Sequence, residues 1–178
     1  PEIQGRLSLN PLVHLDPLGT LMLILSLIKG VGFGWAKPVQ INPNYYKNPA
    51  KGSLFVAIAG PIANLVLALF FGLLMRIFFH GLLNLPINPD FLRLIIKFCY
   101  VGFVLNLGLT FFNLLPIPPL DGSRVVRYFL RGRAFEVYNR AENFGFYILF
   151  FFLLVFGDGF SHYFSIMIQF FVHQITGI

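Results

Sequence analysis

The chain has 178 residues, of which 57% are hydrophobic and 11% charged, and its formal net charge is +6. Soluble domains average about 25% charged residues, so a chain this apolar fits a lipid environment better than water. Its basic residues stand in short segments between apolar runs, which favours a role in membrane orientation over nucleic-acid binding. One cysteine, Cys99, excludes a disulfide framework within a single chain.

The N-terminal residues form a polar, extended entry into the first apolar run. His14 and Asp16, two positions apart, can together bind a cation, but such a pair is a weak signal by itself. The run at residues 18–33 reaches about 24 Å as a helix, short of a hydrocarbon core of about 30 Å. We expect a short spanning helix, or one that enters the membrane and turns back. Residues 35–39, which begin at Trp35, favour a small extended or β element.

The second run, residues 53–79, is long enough to span a membrane with some tilt. Pro61 bends this helix and leaves a backbone carbonyl without its usual donor. Asn64 is a polar residue in an otherwise apolar run and needs a partner. Two interpretations stay open for Asn64, a packing hydrogen bond to a neighbouring helix or a contact in a functional site.

The third run, residues 91–115, meets a cluster of prolines at Pro116, Pro118 and Pro119, which a regular helix cannot accommodate. We therefore predict a broken third helix, with the unwound backbone buried in protein or lining a wet cavity. Asp121 follows the break, and Gly122 allows a tight turn after it. Asp121 is either a carboxylate metal ligand or a residue at the cytoplasmic interface that caps the next helix.

The fourth run covers residues 144–156 and is followed by Gly157-Asp158-Gly159. Residues 160–176 then form an amphipathic C-terminal helix, which either lies at the membrane surface or packs against the bundle. His162 and His173 belong to its polar face and are interpreted as polar-face residues, not as ligands. The prediction is an all-α integral membrane bundle of about four transmembrane helices, a single domain over residues 1–178.

The loops differ in charge. Residues 34–52 and 122–142 are rich in Lys and Arg, whereas residues 80–90 contain neither. The positive-inside rule therefore predicts that the two basic loops are cytoplasmic. This orientation places Asp121 at the cytoplasmic end of the third helix.

Taken together, several segments resemble the compact bacterial-type branch of the site-2 protease family of intramembrane zinc metalloproteases. The resemblance covers about residues 5–124, in order. Its motifs are Gly5-Arg6-x-Ser8-Leu9-Asn10-Pro11, His14-x-Asp16-Pro17-x-Gly19-Thr20, Gly34-Trp35-Ala36-Lys37-Pro38-Val39, Gly60-Pro61-x-x-Asn64 and Asn113-Leu-Leu-Pro-x-Pro-Pro-Leu-Asp121-Gly122.

The resemblance implies cleavage of membrane-protein substrates inside or near the membrane of a bacterium or archaeon, with one Zn²⁺. It implies that Asp121 is a zinc ligand, that Asn64 holds the substrate or polarises its scissile carbonyl, and that Asn113 lies near the same cleft. Asn64 and Asp121 are therefore expected to face one cleft. The implied partners are a transmembrane or membrane-proximal peptide and the lipid bilayer, with no nucleic acid.

One feature of the family is absent from this sequence. None of His14, His80, His162 and His173 belongs to an H-E-x-x-H motif, the source of the other two ligands and the general base in the family. Since that motif precedes the segment at which this chain begins, we expect an upstream part in the complete protein, or else a natural loss of two ligands. The chain alone is expected to be inactive and to contain no catalytic residue. Two alternatives are a non-catalytic membrane protein that binds other membrane proteins and a small transporter.

Overall fold

The computed structural model describes residue 10 and residues 15–28, 46–80 and 88–176. The chain divides into two compact units, Pro1–Tyr46 and Lys47–Ile178. In the first unit, α1 covers Pro17–Ile28. The second unit contains the remaining helices, namely α2 (Pro49–His80), α3 (Pro89–Asn113), α4 (Asp121–Phe129), α5 (Gly132–Glu142) and α6 (Gly145–Thr176).

Helices α1, α2 and α3 all begin at a proline that follows Asp or Asn. Asp16 Oδ1 accepts a hydrogen bond from the backbone N–H of Gly19 at 2.8 Å, and Asn48 Oδ1 accepts one from that of Lys51 at 3.1 Å. Asn88 Oδ1 accepts from the backbone N–H of Asp90 at 2.8 Å. A proline at the first helical position loses no helical hydrogen bond, and the preceding side chain satisfies a backbone donor of the first turn. The local sequence therefore fixes these three starts.

Three helices in the described part of the chain are long and apolar enough to cross a membrane, namely Pro49–Phe79, Pro89–Asn113 and Gly145–Ile175. The prediction of an all-α membrane bundle is confirmed, and three of the four expected spans are present. The first expected span is represented by α1, which has 12 residues. Residues 29–45, with the extended element expected at residues 35–39, lie outside the described residues.

Close packing in the second unit depends on glycines at the helix contacts. A Cβ on Gly102 of α3 would lie 2.8 Å from the ring of Phe71 on α2. A Cβ on Gly72 of α2 would lie 3.1 Å from the ring of Phe103 on α3. Small residues of this kind let membrane helices approach closely enough for van der Waals packing. Around these contacts lies a buried core of Ala68, Phe103, Leu107 and Ile168, so α2, α3 and α6 form one bundle.

Helix α6 is continuous over Gly145–Thr176, and no break occurs at Gly157-Asp158-Gly159. The expected separation of a fourth span from an amphipathic helix at residues 160–176 was therefore wrong, because these residues are the second half of one helix. Glycine costs about 1 kcal/mol in a helix interior, which is small beside packing. Phe160 supplies such packing directly after the glycines, since its ring contacts those of Phe112, Phe152 and Phe164.

Candidate functional site

The break in the third apolar run is as the prolines predicted. Helix α3 ends at Asn113, and α4 begins at Asp121 after seven non-helical residues, 114–120. The last turn of α3 is closed by hydrogen bonds from the backbone N–H of Leu114 to the Thr110 carbonyl and from that of Leu115 to the Phe112 carbonyl. The chain thus turns within the protein and continues as a new helix. We call residues 114–120 the proline turn.

Gly122 is the point of closest backbone approach in this region. A Cβ at position 122 would overlap with the backbone carbonyl of Leu114. The obstacle is main chain and not a flexible side chain, so a larger residue there must displace the proline turn or α4. Gly122 thereby fixes where α4 starts and, with it, where the adjacent Asp121 projects.

The Asp121 side chain faces α2. A Cβ on Gly60 would lie 3.2 Å from Asp121 Oδ2, so the missing side chain of Gly60 makes room for the carboxylate. Burial raises the pKa of the Asp121 carboxyl, and the positive charge of Arg124 opposes this effect. Among the described residues, none donates a hydrogen bond or forms an ion pair with this carboxylate. Asp121 is also the first residue of α4 and not its N-cap, which is Leu120, so the capping interpretation is not supported.

Asn64 lies four residues after Gly60 on α2, which is one helical turn and about 6 Å along the axis. Residues four apart share a helix face, so Asn64 is on the face that Gly60 presents to Asp121. Its side chain is half-buried, and it has no hydrogen-bond partner within the described part of the chain. An amide in a membrane-spanning helix needs such a partner, so a ligand there would satisfy it.

Asn113 is the last residue of α3, directly before the proline turn. Its Nδ2 donates to the Leu109 carbonyl at 2.9 Å, which fixes the amide against its own helix. The structure therefore places Asn113 beside the turn, with one amide donor in use.

Thr110 is a residue of this region that the sequence reasoning missed. Its buried hydroxyl lies 2.9 Å from the Asn106 carbonyl and 3.4 Å from the Pro61 carbonyl on α2. This contact joins α3 to α2 at Pro61, one residue from Gly60. A threonine four residues after Asn106 in an apolar run was the signal available, because two polar residues at that spacing share one face.

Tyr138 of α5 also escaped the sequence reasoning, and it holds the proline turn against α4. Its hydroxyl donates to the Pro116 carbonyl at 3.0 Å and lies near the buried Ser123. Burial raises the pKa of the Tyr138 phenol, as does the nearby Glu142, while Ser123 and Arg127 lower it. Arg127 and Glu142 form a 2.6 Å ion pair that joins the same two helices.

The structure describes only some of the other polar residues that the sequence analysis considered. Asp16 caps α1, and His14 lies outside the described residues. His162 is exposed on α6, at a helix position where its carbonyl accepts from Ser165. In the part of the chain that the structure describes, no group of three or more His, Cys, Asp or Glu side chains could hold a metal ion. Within the described residues, Asp121 is the predicted ligand at the α2–α4 contact.

Comparison with known families shows the family of the chain. The sequence profile of Peptidase family M50 matches residues 17–156, most of the chain. The chain belongs to Peptidase family M50. The site-2 protease resemblance of its motifs is thereby confirmed, and the matched residues include α2, the proline turn and Asp121.

Three curated relatives carry the name "Putative zinc metalloprotease". YwhC of Bacillus subtilis is 38% identical over 82% of this chain and 63% of its own length. A relative from Methanocaldococcus jannaschii is 37% identical over 59% of this chain and 48% of its own. Rip2 of Mycolicibacterium smegmatis is 35% identical over 83% of this chain and 53% of its own. The chain therefore spans about half to two thirds of the length of these relatives. No solved structure matches it.

Proposed function

We propose that the complete protein is a zinc-dependent endopeptidase that cleaves membrane-protein substrates inside or near the bilayer. The observation that carries this proposal is the half-buried Asp121 carboxylate, which lies against Gly60 without a partner among the described residues and one helical turn from Asn64. Family membership and the three apolar spans support the class of reaction and the membrane setting.

Asp121 fits one position of a zinc site. A carboxylate is an established zinc ligand, and the cost of burying the Asp121 carboxylate is only partly offset by the positive charge of Arg124, so a bound cation would stabilise it. Catalytic zinc sites use three protein ligands and leave a fourth position open. A zinc held there would act as a Lewis acid and lower the pKa of a bound water to about 7. The described residues supply one of the three ligands, so two must come from elsewhere in the complete protein.

The two asparagines are proposed to bind the substrate peptide. Asn64 offers both an amide donor and an amide acceptor to the cleft between α2 and α4. One amide hydrogen of Asn113 is used in the hydrogen bond to the Leu109 carbonyl. The remaining amide hydrogen and the amide oxygen lie beside the proline turn. A peptide that enters this cleft carries unpaired N–H and C=O groups, which are costly in a membrane unless they are satisfied. We infer that these two side chains hold the peptide in register with the metal.

The chain as given is proposed to be inactive by itself. The described residues contain no group of three or more His, Cys, Asp or Glu side chains that could hold a metal ion, and the sequence has no H-E-x-x-H motif whose glutamate would take a proton from water. The proposed orientation has residues 34–52 and 122–142 in the cytoplasm, so Asp121 lies toward the cytoplasmic side. Cysteine labelling at position 121 from the outer side would contradict this orientation.

The test is cleavage of a designed membrane-spanning peptide by two forms of the protein. One form is the chain as given, and the other is extended upstream to include H-E-x-x-H. We expect the extended form to cleave and the short one not to, and Asp121→Ala to abolish cleavage in the extended form. Cleavage by the short form would mean that a different ligand set is at work. Full activity of the extended Asp121→Ala variant would refute the role of Asp121.

A further inference from the structure

A second cavity lies at the far end of the bundle from Asp121. It has a volume of about 520 Å³ and opens between α2, α3 and α6. On α2 its first lining residue, Met75, is about 22 Å farther along the helix axis than Gly60. Its apolar walls consist of Met75, Phe79, Ile96, Tyr100 and Val172. Arg93 and Lys97 also line this cavity, almost entirely with the aliphatic parts of their side chains, and each carries a positive charge; we call it the basic groove.

Lys97 lies at membrane depth. Helix α3 is a candidate span of 25 residues, and Lys97 is its ninth. A hydrocarbon core of about 30 Å takes about 20 residues of an untilted helix, so every placement of that core within α3 includes Lys97. Its Cα then lies between about 4 and 12 Å inside the boundary. A cation at this depth is costly unless it pairs or reaches the interface, and such residues usually mark a site.

An acidic protein partner for Lys97 is absent from the described part of the chain. The ion pairs there are Arg93–Asp90 and Arg127–Glu142. Arg93 is four residues before Lys97 and so lies on the same face of α3. In its ion pair with Asp90, the Arg93 side chain is 80% exposed and the Asp90 side chain 86% exposed. Ion pairs as exposed as this contribute little to stability. The guanidinium of Arg93 and the ammonium of Lys97 can therefore bind one further anion together.

We propose that the basic groove binds an anionic phospholipid. Its phosphate contacts Lys97 and Arg93, and an acyl chain lies along Met75, Ile96 and Val172. The combination of an apolar wall and two cations, with Lys97 at membrane depth, selects this occupant. A free phosphate would leave the apolar wall uncovered, and a zwitterionic lipid would bring its own cation close to Lys97 and Arg93. The site is separate from Asp121, so the inference does not depend on proteolysis.

The experiment measures lipid bound to the purified, detergent-solubilised chain by native mass spectrometry. Phosphatidylglycerol and phosphatidylcholine with the same oleoyl chains are compared, and phosphatidylglycerol is expected to bind more tightly. Lys97→Gln should weaken phosphatidylglycerol binding about tenfold, as loss of a charged hydrogen bond predicts, whereas Lys97→Arg should retain it. Lys51→Gln, which removes an exposed lysine at the start of α2, is the matched control and should leave binding unchanged.

Val172→Trp tests the acyl-chain part of the site, because it fills the groove and leaves both cations in place. It should weaken binding as much as Lys97→Gln does, at an unchanged unfolding temperature. If Val172→Trp fails to fold, Ile96→Trp is used from the opposite wall. Equal binding of the two lipids, wild-type binding by Lys97→Gln, or displacement of the lipid by millimolar inorganic phosphate would each overturn the proposal.

Discussion

Gly60 of α2 lies directly opposite Asp121 of α4, since a Cβ on Gly60 would lie 3.2 Å from Asp121 Oδ2. The proline turn, Gly122 and Tyr138 all determine where that carboxylate projects. Two residues far apart in sequence thus form one contact, and a substitution on either helix can test its geometry.

Gly60→Ala should lower the activity of the complete protein without unfolding it. The added methyl crowds the Asp121 carboxylate by a few tenths of an ångström, and small misplacements of catalytic groups reduce rates about tenfold or more. Helix propensity favours alanine by about 1 kcal/mol, so thermal stability should stay near that of the wild type. Gly157→Ala is the matched control, because a Cβ there meets nothing within 4 Å. Equal activity of the two variants would contradict the proposed contact.

Gly122→Ala should destabilise the fold by about 1–3 kcal/mol, the usual cost of overpacking. The added Cβ would overlap with the Leu114 carbonyl, and main chain cannot move aside as a side chain can. Denaturant unfolding in detergent measures the loss. Gly159→Ala, with open space around its Cβ, should cause no such loss. A Gly122→Ala variant as stable as Gly159→Ala would mean that the proline turn approaches α4 less closely.

Tyr138→Phe should loosen the proline turn. The change removes the hydroxyl that donates to the Pro116 carbonyl. The expected cost is about 1 kcal/mol, the usual net contribution of one hydrogen bond. Hydrogen exchange of residues 114–120 should accelerate, while exchange in the middle of α3 should not change. Tyr147→Phe, at a residue that is 71% exposed, is the control, and equal exchange in both variants would refute the role of Tyr138.

The two ion pairs should differ in strength. Arg127 and Glu142 are each 28% exposed and 2.6 Å apart, whereas Arg93 and Asp90 are 80% and 86% exposed and 3.2 Å apart. Double-mutant cycles should give a coupling of about 1 kcal/mol for the first pair and at most about 0.5 kcal/mol for the second. Salt should weaken the second pair more strongly. A larger coupling in the exposed pair would contradict the proposed link between α4 and α5.

The sequence predicted those features that depend on local chemistry. A cluster of three prolines cannot be accommodated in a regular helix, so the end of α3 before Pro116 and the restart near Asp121 were predictable. The break at Gly157-Asp158-Gly159 was wrongly expected, because weak local preferences lost to the ring contacts of Phe160. Tyr138 was missed because its hydrogen-bond acceptor, the Pro116 carbonyl, is 22 residues away in sequence. The periodic pattern of a sequence does not indicate a hydrogen bond between residues so far apart along the chain.

The placement of Asn64 beside Asp121 combines both kinds of information. The family motif named the two residues, and the Gly60 contact shows which face of α2 turns toward α4. Their shared cleft stays a prediction. A structure of the complete protein with Asn64 turned to lipid would refute it.

The most direct test of the account is the zinc content of the complete protein. Metal analysis by inductively coupled plasma mass spectrometry should find about one zinc per wild-type chain, since catalytic sites of this class hold one ion with three protein ligands. Asp121→Ala should lose most of it. Asp90→Ala, which removes an exposed carboxylate from the first turn of α3, should keep it. Stoichiometric zinc in a folded Asp121→Ala variant, held as tightly as in the wild type, would contradict the central claim that Asp121 is a zinc ligand.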